Sequence, residues 1–234
     1  MQTVHHQMSI LSFDTSGDFC SAALHVGNIL LAFDQDVSRS LQAAEILIPM
    51  INRVMEKSGL SYNDLDYLAL TKGPGSFTGI RVGLAAAQGI LISTRASPLV
   101  MSNFDLWHYR AQMQIGKKLE AVVVLIKAYS GQLYLQIFEY GNNHSKDEPI
   151  LICVQDLKAH VEHLSDKIVG FIGSGMLQIY DSFFDNPNFL FLPRHVNAKV
   201  LGQLAHHIIS FGKLEGHHKE VLPLYIKAPS VGVI

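Results

Sequence analysis

Between the apolar run Tyr67–Thr71 and the small-residue segment Arg81–Ser93 stands Lys72-Gly73-Pro74-Gly75-Ser76-Phe77-Thr78-Gly79, with three glycines and a proline in eight residues. Glycine reaches backbone conformations closed to other residues and lets other chain segments approach closely, while proline fixes φ. A stretch of this kind predicts a tight strand-to-helix turn, and such turns belong to layered α/β folds. Arg81–Ser93 adds Gly83, Ala85, Ala86, Ala87 and Gly89. Glycines weaken an isolated helix, so this one is expected to be buried on most sides.

A glycine-rich turn into a helix can also present N–H groups to an anion. The common phosphate signatures do not fit. G-x-x-x-x-G-K-[ST] fails because five residues separate Gly73 from Gly79 and Ile80-Arg81 follows; G-x-G-x-x-G fails because Thr78 stands at the third glycine position. A nucleophile elbow around Ser76 would need glycines where Pro74 and Thr78 stand. The residues leave two readings open, a structural turn or an anion cradle. The cradle would use Gly73, Gly75, Ser76, Thr78 and Gly79, with Asp14 and Thr15 from an earlier strand end holding a hydrated cation.

The rest of the chain alternates strand and helix signals. Ser9–Phe13 reads as a buried strand ending at Asp14-Thr15-Ser16-Gly17. Gly27-Asn28 joins Phe19–Val26 to Ile29–Gln35 as a hairpin. Ala43–Lys57 reads as a helix whose apolar surface is wider than one core face needs, with Gly59 ending it. After Pro98, read as a boundary, come strands Ala121–Ile126 and Leu133–Phe138, helix Asp156–Leu164, strand Lys167–Ile172 and helix Asn197–Gly212 with Asn197 as its N-cap. The expected organisation is a lobe over 8–101, a second lobe over 102–222 and a tail over 223–234. Residues 1–7 read as a frayed extension or an upstream start before Met8.

Composition narrows the function classes. The chain is 48% hydrophobic and 16% charged, with a net charge of −2. A protein that grips nucleic acid directly is expected to be basic. The longest run without Asp, Glu, Lys or Arg is Phe19–Phe33, 15 residues, short of the ~20 a membrane span needs. Cys20 and Cys153, far apart in apolar runs, read as buried free thiols of a reducing cytoplasm. The 12 histidines include His160 and His163 one helical turn apart, but no metal-ligand spacing completes a shell, so no metal site is assigned.

Several of these segments resemble one family. Ile10-Leu11-Ser12-Phe13-Asp14-Thr15-Ser16 is similar to its first strand. Lys72–Gly83 is similar to its long signature G-P-G-S-F-T-G-[LIV]-R-[IV]-G. Ile48-Pro49-Met50, Gly131-Gln132-Leu133-Tyr134, Gly173-Ser174-Gly175 and Pro223–Lys227 match further motifs. The family is TsaB, also called YeaZ and formerly labelled a glycoprotease homologue. The resemblance implies the actin/Hsp70/sugar-kinase-like (ASKHA) fold, with two lobes that each carry a mixed β-sheet flanked by helices. It implies a role in forming N6-threonylcarbamoyladenosine at position 37 of tRNAs that read codons beginning with A, as a non-catalytic partner of the catalytic paralogue TsaD. The implied partners are TsaD, the ATPase TsaE, a second copy when alone, and tRNA only through the complex. No cofactor is required by this chain, although ATP or ADP with Mg at a complex interface fits the fold group. The metal-binding H-x-x-x-H of the paralogue has no counterpart in Ala43–Lys57. The family's D-A-R-x-G-E-V-Y hairpin reads Lys127-Ala128-Tyr129-Ser130-Gly131-Gln132-Leu133-Tyr134, and Ser38–Gln42 stands where the family often has a His. The expected partner interface is Leu47, Met50, Ile51 and Val54 with Gly83, Ala86, Ala87 and Ile90. The alternatives are an ATPase or phosphotransferase of the same fold, acting at Asp14, Thr15 and the glycine loop, and a metallopeptidase.

Overall fold

The computed structural model describes residues 7–37, 42–113, 119–140, 145–179, 186–192, 195–212, 214 and 220–226. The segments 1–6, 38–41 and 227–234, on which some of the sequence expectations fall, lie outside the described residues. The chain divides into two compact units, Met1–Leu106 with Val196–Leu224, and Trp107–His195 with Tyr225–Ile234.

The first unit begins with β1 (Ser9–Asp14), β2 (Cys20–Val26) and β3 (Ile29–Asp36), then α1 (Ala43–Ser58), β4 (Tyr67–Thr71), α2 (Phe77–Ser93), β5 (Ser97–Met101) and α3 (Asn103–Gln112). Its sheet has the order β3-β2-β1-β4-β5. β1, β2 and β3 are antiparallel neighbours, whereas β4 and β5 join parallel to β1. The turn at Gly27 has φ +56°, which glycine adopts freely. Gln42 and Glu45 form a capping box on α1, and Gly59 ends it in the left-handed conformation.

The second unit holds β6 (Ala121–Lys127), β7 (Gln132–Glu139), β8 (Ser145–Lys146), β9 (Ile150–Cys153), α4 (Leu157–Val161), β10 (Val169–Ile172) and β11 (Phe189–Phe191). Its sheet order is β11-β10-β6-β7-β8, with β9 also on β7. The β6–β7 hairpin is antiparallel and β10 and β11 follow in parallel, so both sheets share one plan: a hairpin, then parallel strands. These are the two mixed sheets flanked by helices that the sequence led us to expect.

The final helix, α5 (Ala198–Ser210), departs from the expected lobe boundaries. The sequence division placed it with the second lobe, but it packs against β1 and β2 of the first. Polar anchoring is the reason. Ser12 Oγ donates to the Ala198 carbonyl at 2.8 Å, and the Ala198 N–H donates to Ser21 Oγ at 2.9 Å. Asn197 caps the helix as expected, accepting from the Lys199 N–H at 3.1 Å. Pro98, read as a boundary, lies inside β5. At a sheet edge its missing N–H leaves one side of the strand unpaired at little cost.

One core lies between the first sheet and α1 and α2, built from Leu11, Phe13, Leu24, Leu68, Leu70 and the inward residues of both helices. A second lies in the second unit around Val123, Leu125, Phe171 and Leu157. No helix among the described residues is long and apolar enough to cross a membrane.

Candidate functional site

The ends of β1 and β4 bring the strand-end residues and the glycine loop together. Asp14 is buried, and its Oδ1 accepts from the Ser16 N–H at 3.0 Å, Ser16 Oγ at 2.6 Å and Thr71 Oγ1 at 3.0 Å. That is an Asx-type turn tied across to β4. Asp14 Oδ1 therefore braces the turn from within.

The loop clasps the same turn. Ser76 donates its N–H to the Ser16 carbonyl at 2.8 Å, and Thr15 Oγ1 donates to the Gly79 carbonyl at 2.7 Å. Ser76 Oγ accepts from the Gly79 N–H at 3.2 Å, capping α2. A Cβ on Gly75 would strike the Ser16 carbonyl and one on Gly79 the Thr15 carbonyl, while one on Gly83 would come within 2.6 Å of Thr15 Oγ1. Glycine is needed at these three positions because the β1–β2 turn lies directly on them. Their spacing of four, Gly75, Gly79, Gly83, was the sequence signal for this contact. On the other side, Asn103 of α3 donates Nδ2 to the Pro74 carbonyl at 2.6 Å and its N–H to the Gly73 carbonyl at 2.8 Å. The Leu224 N–H donates to the Lys72 carbonyl at 2.8 Å. Nothing in the spacing around Asn103 or Leu224 announced these two clamps.

Beside the clasp lies a cavity of about 330 Å³, lined by Thr15, Asp18, Cys20 and Asp36 from the strand side and by Ser76 and Thr78 from the start of α2. Of the seven residues expected to form an anion cradle, the structure brings Thr15, Ser76, Thr78 and Gly79 to this wall. Asp14 is engaged as described; Gly73 packs against Ile80 and Leu224, and Gly75 against Ser16 and Asn103. Two carboxylates line the cavity, and no Lys or Arg is among its described lining residues. This donor set does not suit a phosphate. The Cys20 thiol is pushed up to about 12 by burial first, then by Asp14, Asp36 and Asp34, so it stays protonated and is a poor nucleophile. The expectation of a buried free thiol is met at Cys20 and corrected at Cys153, which is exposed.

The expected partner interface requires correction. Leu47, Met50, Ile51, Val54 and Ala87 are at most 1% exposed. Ile90 and Gly83 are buried, and half-buried Ala86 packs on the same core. The i, i+3, i+4 spacing that marked them is that of a core stripe, and a core stripe and an interface stripe use the same residue types. The apolar positions that α1 and α2 leave exposed include Ala44, Ile48 and Pro49, and Phe77, Ala85, Gly89 and Ile92.

Among the described residues, no group of three His, Cys, Asp or Glu could hold a metal ion. His163 instead lies 3.4 Å from Glu139, which also accepts from Lys167. The Lys167 hydrogen bond is the main reason that the Glu139 carboxyl lies below its usual range. On the β6–β7 turn, Lys127 and Tyr129 are exposed and Ser130 has φ 55°.

Comparison with known proteins shows what the chain is similar to. The family model described as TsaD, tRNA N6-adenosine threonylcarbamoyltransferase, matches residues 38–170. The tRNA threonylcarbamoyladenosine biosynthesis protein TsaB of Escherichia coli (strain K12) is 27% identical over 171 residues, 72% of each chain. The TsaB of Buchnera aphidicola subsp. Schizaphis graminum is 30% identical over 53% of this chain and 58% of its own length. That of Haemophilus influenzae is 33% identical over 54% of this chain and 52% of its own length. The last two matches therefore span little more than half of those relatives. Among solved structures, YeaZ from Pseudomonas aeruginosa superposes with a TM-score of 0.72 at 23% identity, covering 94% of this chain and all of that one, which shows the fold. With a family match over more than half of its length and these three relatives all named TsaB, the chain belongs to the TsaD family and stands within it among the TsaB/YeaZ proteins.

Proposed function

We propose that the chain takes part in forming N6-threonylcarbamoyladenosine at position 37 of tRNAs that read codons beginning with A, as a non-catalytic subunit that pairs with a TsaD-type catalytic paralogue. The observation that carries this reading is the name borne by the relatives matched over the most sequence, tRNA threonylcarbamoyladenosine biosynthesis protein TsaB. The site is consistent with it. The glycine loop holds the β1–β2 turn, Asp14 Oδ1 accepts from three donors of the same turn and β4, and Cys20 is held as a thiol. Partnership then falls to exposed surface, and the outward positions Ile48, Phe77, Ala85, Gly89 and Ile92 are among the apolar positions of α1 and α2 open to it. A TsaE-type ATPase completes the assembly, and tRNA is met through the complex.

Reconstitution tests this. The chain is mixed with the catalytic paralogue, the ATPase, threonylcarbamoyl-adenylate and tRNA. Modified tRNA is expected only when the chain is present. Ile92→Lys is expected to weaken the pairing about tenfold while leaving the unfolding temperature unchanged, because a charge enters a desolvated contact. Full modification without the chain overturns the proposal. Tight binding of ATP-Mg with turnover by the chain alone, read by calorimetry and phosphate release, would favour the ATPase reading instead.

A further inference from the structure

The cavity beside the glycine-loop clasp brings both signs of charge together. On the strand side, Asp36 is the cross-strand neighbour of Cys20, which sets the two side chains on one face of the sheet. Asp18 of the β1–β2 turn joins them on the wall. Both carboxylates take part in other polar interactions, but a carboxylate has several acceptor positions, so capacity for an ammonium remains. On the helix side, α1 and α2 both begin at the cavity, with Gln42 and Ala43, and Ser76 and Thr78, on its wall. A helix start carries a positive partial charge and N–H groups that no carbonyl of the helix can reach. On α2, Ser76 Oγ accepts from the Gly79 N–H, which leaves those of Phe77 and Thr78 without an acceptor inside the helix. A third observation is independent of charge. Cys20 lines the cavity, is 5% exposed, and has no hydrogen-bond partner among the described residues. Its S–H is a buried donor that the fold itself does not serve.

We propose that this cavity binds a small α-amino acid as its zwitterion, with the ammonium on Asp18 and Asp36 and the carboxylate at the start of α2. Opposite charges gathered in one site select a ligand that carries both on one carbon. A phosphate is repelled by two carboxylates, and a simple ammonium leaves the helix N–H groups unserved. The zwitterion answers both walls, a carboxylate at a helix N-terminus being a common arrangement, and it brings no net charge out of water. The cavity volume of about 330 Å³ lies at the small end of ligand sites, which limits the side chain to a few atoms. Phe19, Cys20 and Ile46 give that side chain a mostly apolar wall with one weak polar group. A short aliphatic or hydroxylated side chain fits there, and a charged one does not. All of these residues belong to the first unit, so the site is complete within it. The proposal goes beyond the subunit role and does not rest on it.

Titration of the full chain with L-serine tests the proposal, read by the amide shifts of Thr78 and Gly79 in two-dimensional NMR. Saturable shifts are expected, with a Kd on the order of 1 mM for a ligand of so few atoms. Two matched probes divide the ligand. L-Serinamide lacks the carboxylate and glycerate lacks the ammonium, and each is expected to bind about tenfold more weakly through loss of one charge-assisted contact. Asp36→Asn should weaken L-serine by about the same factor, whereas Glu56→Gln, on the exposed side of α1, should not. In a Cys153→Ser background, saturating L-serine should slow alkylation of Cys20 several-fold. The probe comparison uses the unaltered chain, so it decides the matter even where Asp36→Asn fails to fold. Absence of shifts up to about 20 mM L-serine overturns the proposal. Serinamide binding as tightly as serine also overturns it, by making the site one for cations, and glycerate doing so would make it one for anions. The same holds for L-serine binding that a folded Asp36→Asn chain leaves unchanged.

Discussion

Gly79 and Gly89 stand ten residues apart and answer opposite demands. At Gly79 a Cβ would meet the Thr15 carbonyl, whereas at Gly89 nothing lies within 4 Å. Gly79→Ala must therefore push α2 away from the β1–β2 turn, and is expected to cost about 3 kcal/mol. Gly89→Ala, in an exposed helix interior, is expected to stabilise by about 0.5–1 kcal/mol. Urea midpoints of the two variants should move in opposite directions. His25 is the second residue with a measurable consequence. It is 1% exposed on β2, neither ring nitrogen has a hydrogen-bond partner, and Gly202 of α5 lies against it with no room for a side chain. Burial first, and His206 second, lower its pKa from 6.5 to about 4. Below pH 6.5 the unfolded chain binds a proton that the folded chain refuses. His25 thus takes stability away as pH falls from 6.5 towards 4, and its effect levels off below that. By pH 5 the loss is about 2 kcal/mol. Urea unfolding at pH 7 and pH 5 should show this slope in wild type and a shallower one in His25→Leu.

At the scale of elements, the sequence was most informative where structure is decided locally. The Gly73–Gly79 turn, the Gly27-Asn28 hairpin and the Asn197 cap each rest on residues whose backbone or side-chain chemistry acts within a few positions. β5 and α3 were missed because Pro98 punctuates the sequence without ending the strand, and because the sequence around α3 has little periodic contrast. The loop's role was half legible. Its turn could be read from glycine and proline, but the clamps from Asn103 and Leu224 depend on segments distant in the chain. The apolar stripes of α1 and α2 were seen and assigned to the wrong neighbour. Leu47, Met50, Ile51 and Val54 are chemically the same whether they face a sheet or a partner, and only the tertiary structure decides.

At the scale of the whole molecule, the first unit is built from two separate pieces of chain. Without α5, the sheet face that carries Ser12, Ser21 and His25 loses its cover, and with it the hydroxyl contacts to Ala198. A fragment spanning 8–101, the lobe that the sequence suggested, is expected to lack a cooperative unfolding transition by circular dichroism. Adding the 196–224 segment through a short Gly-Ser linker should restore one. A fully cooperative 8–101 fragment would mean that α5 is dispensable.

The same discontinuity has a consequence for biosynthesis. Translation runs from the N-terminal side, so the first sheet emerges early and must wait for a helix encoded after all the strands of the second unit. Until residues 198–210 leave the exit tunnel, the strands of the first unit are an open half-sandwich. A message that ends before codon 198 would therefore fail to yield even the first unit, although most of that unit's residues had been translated.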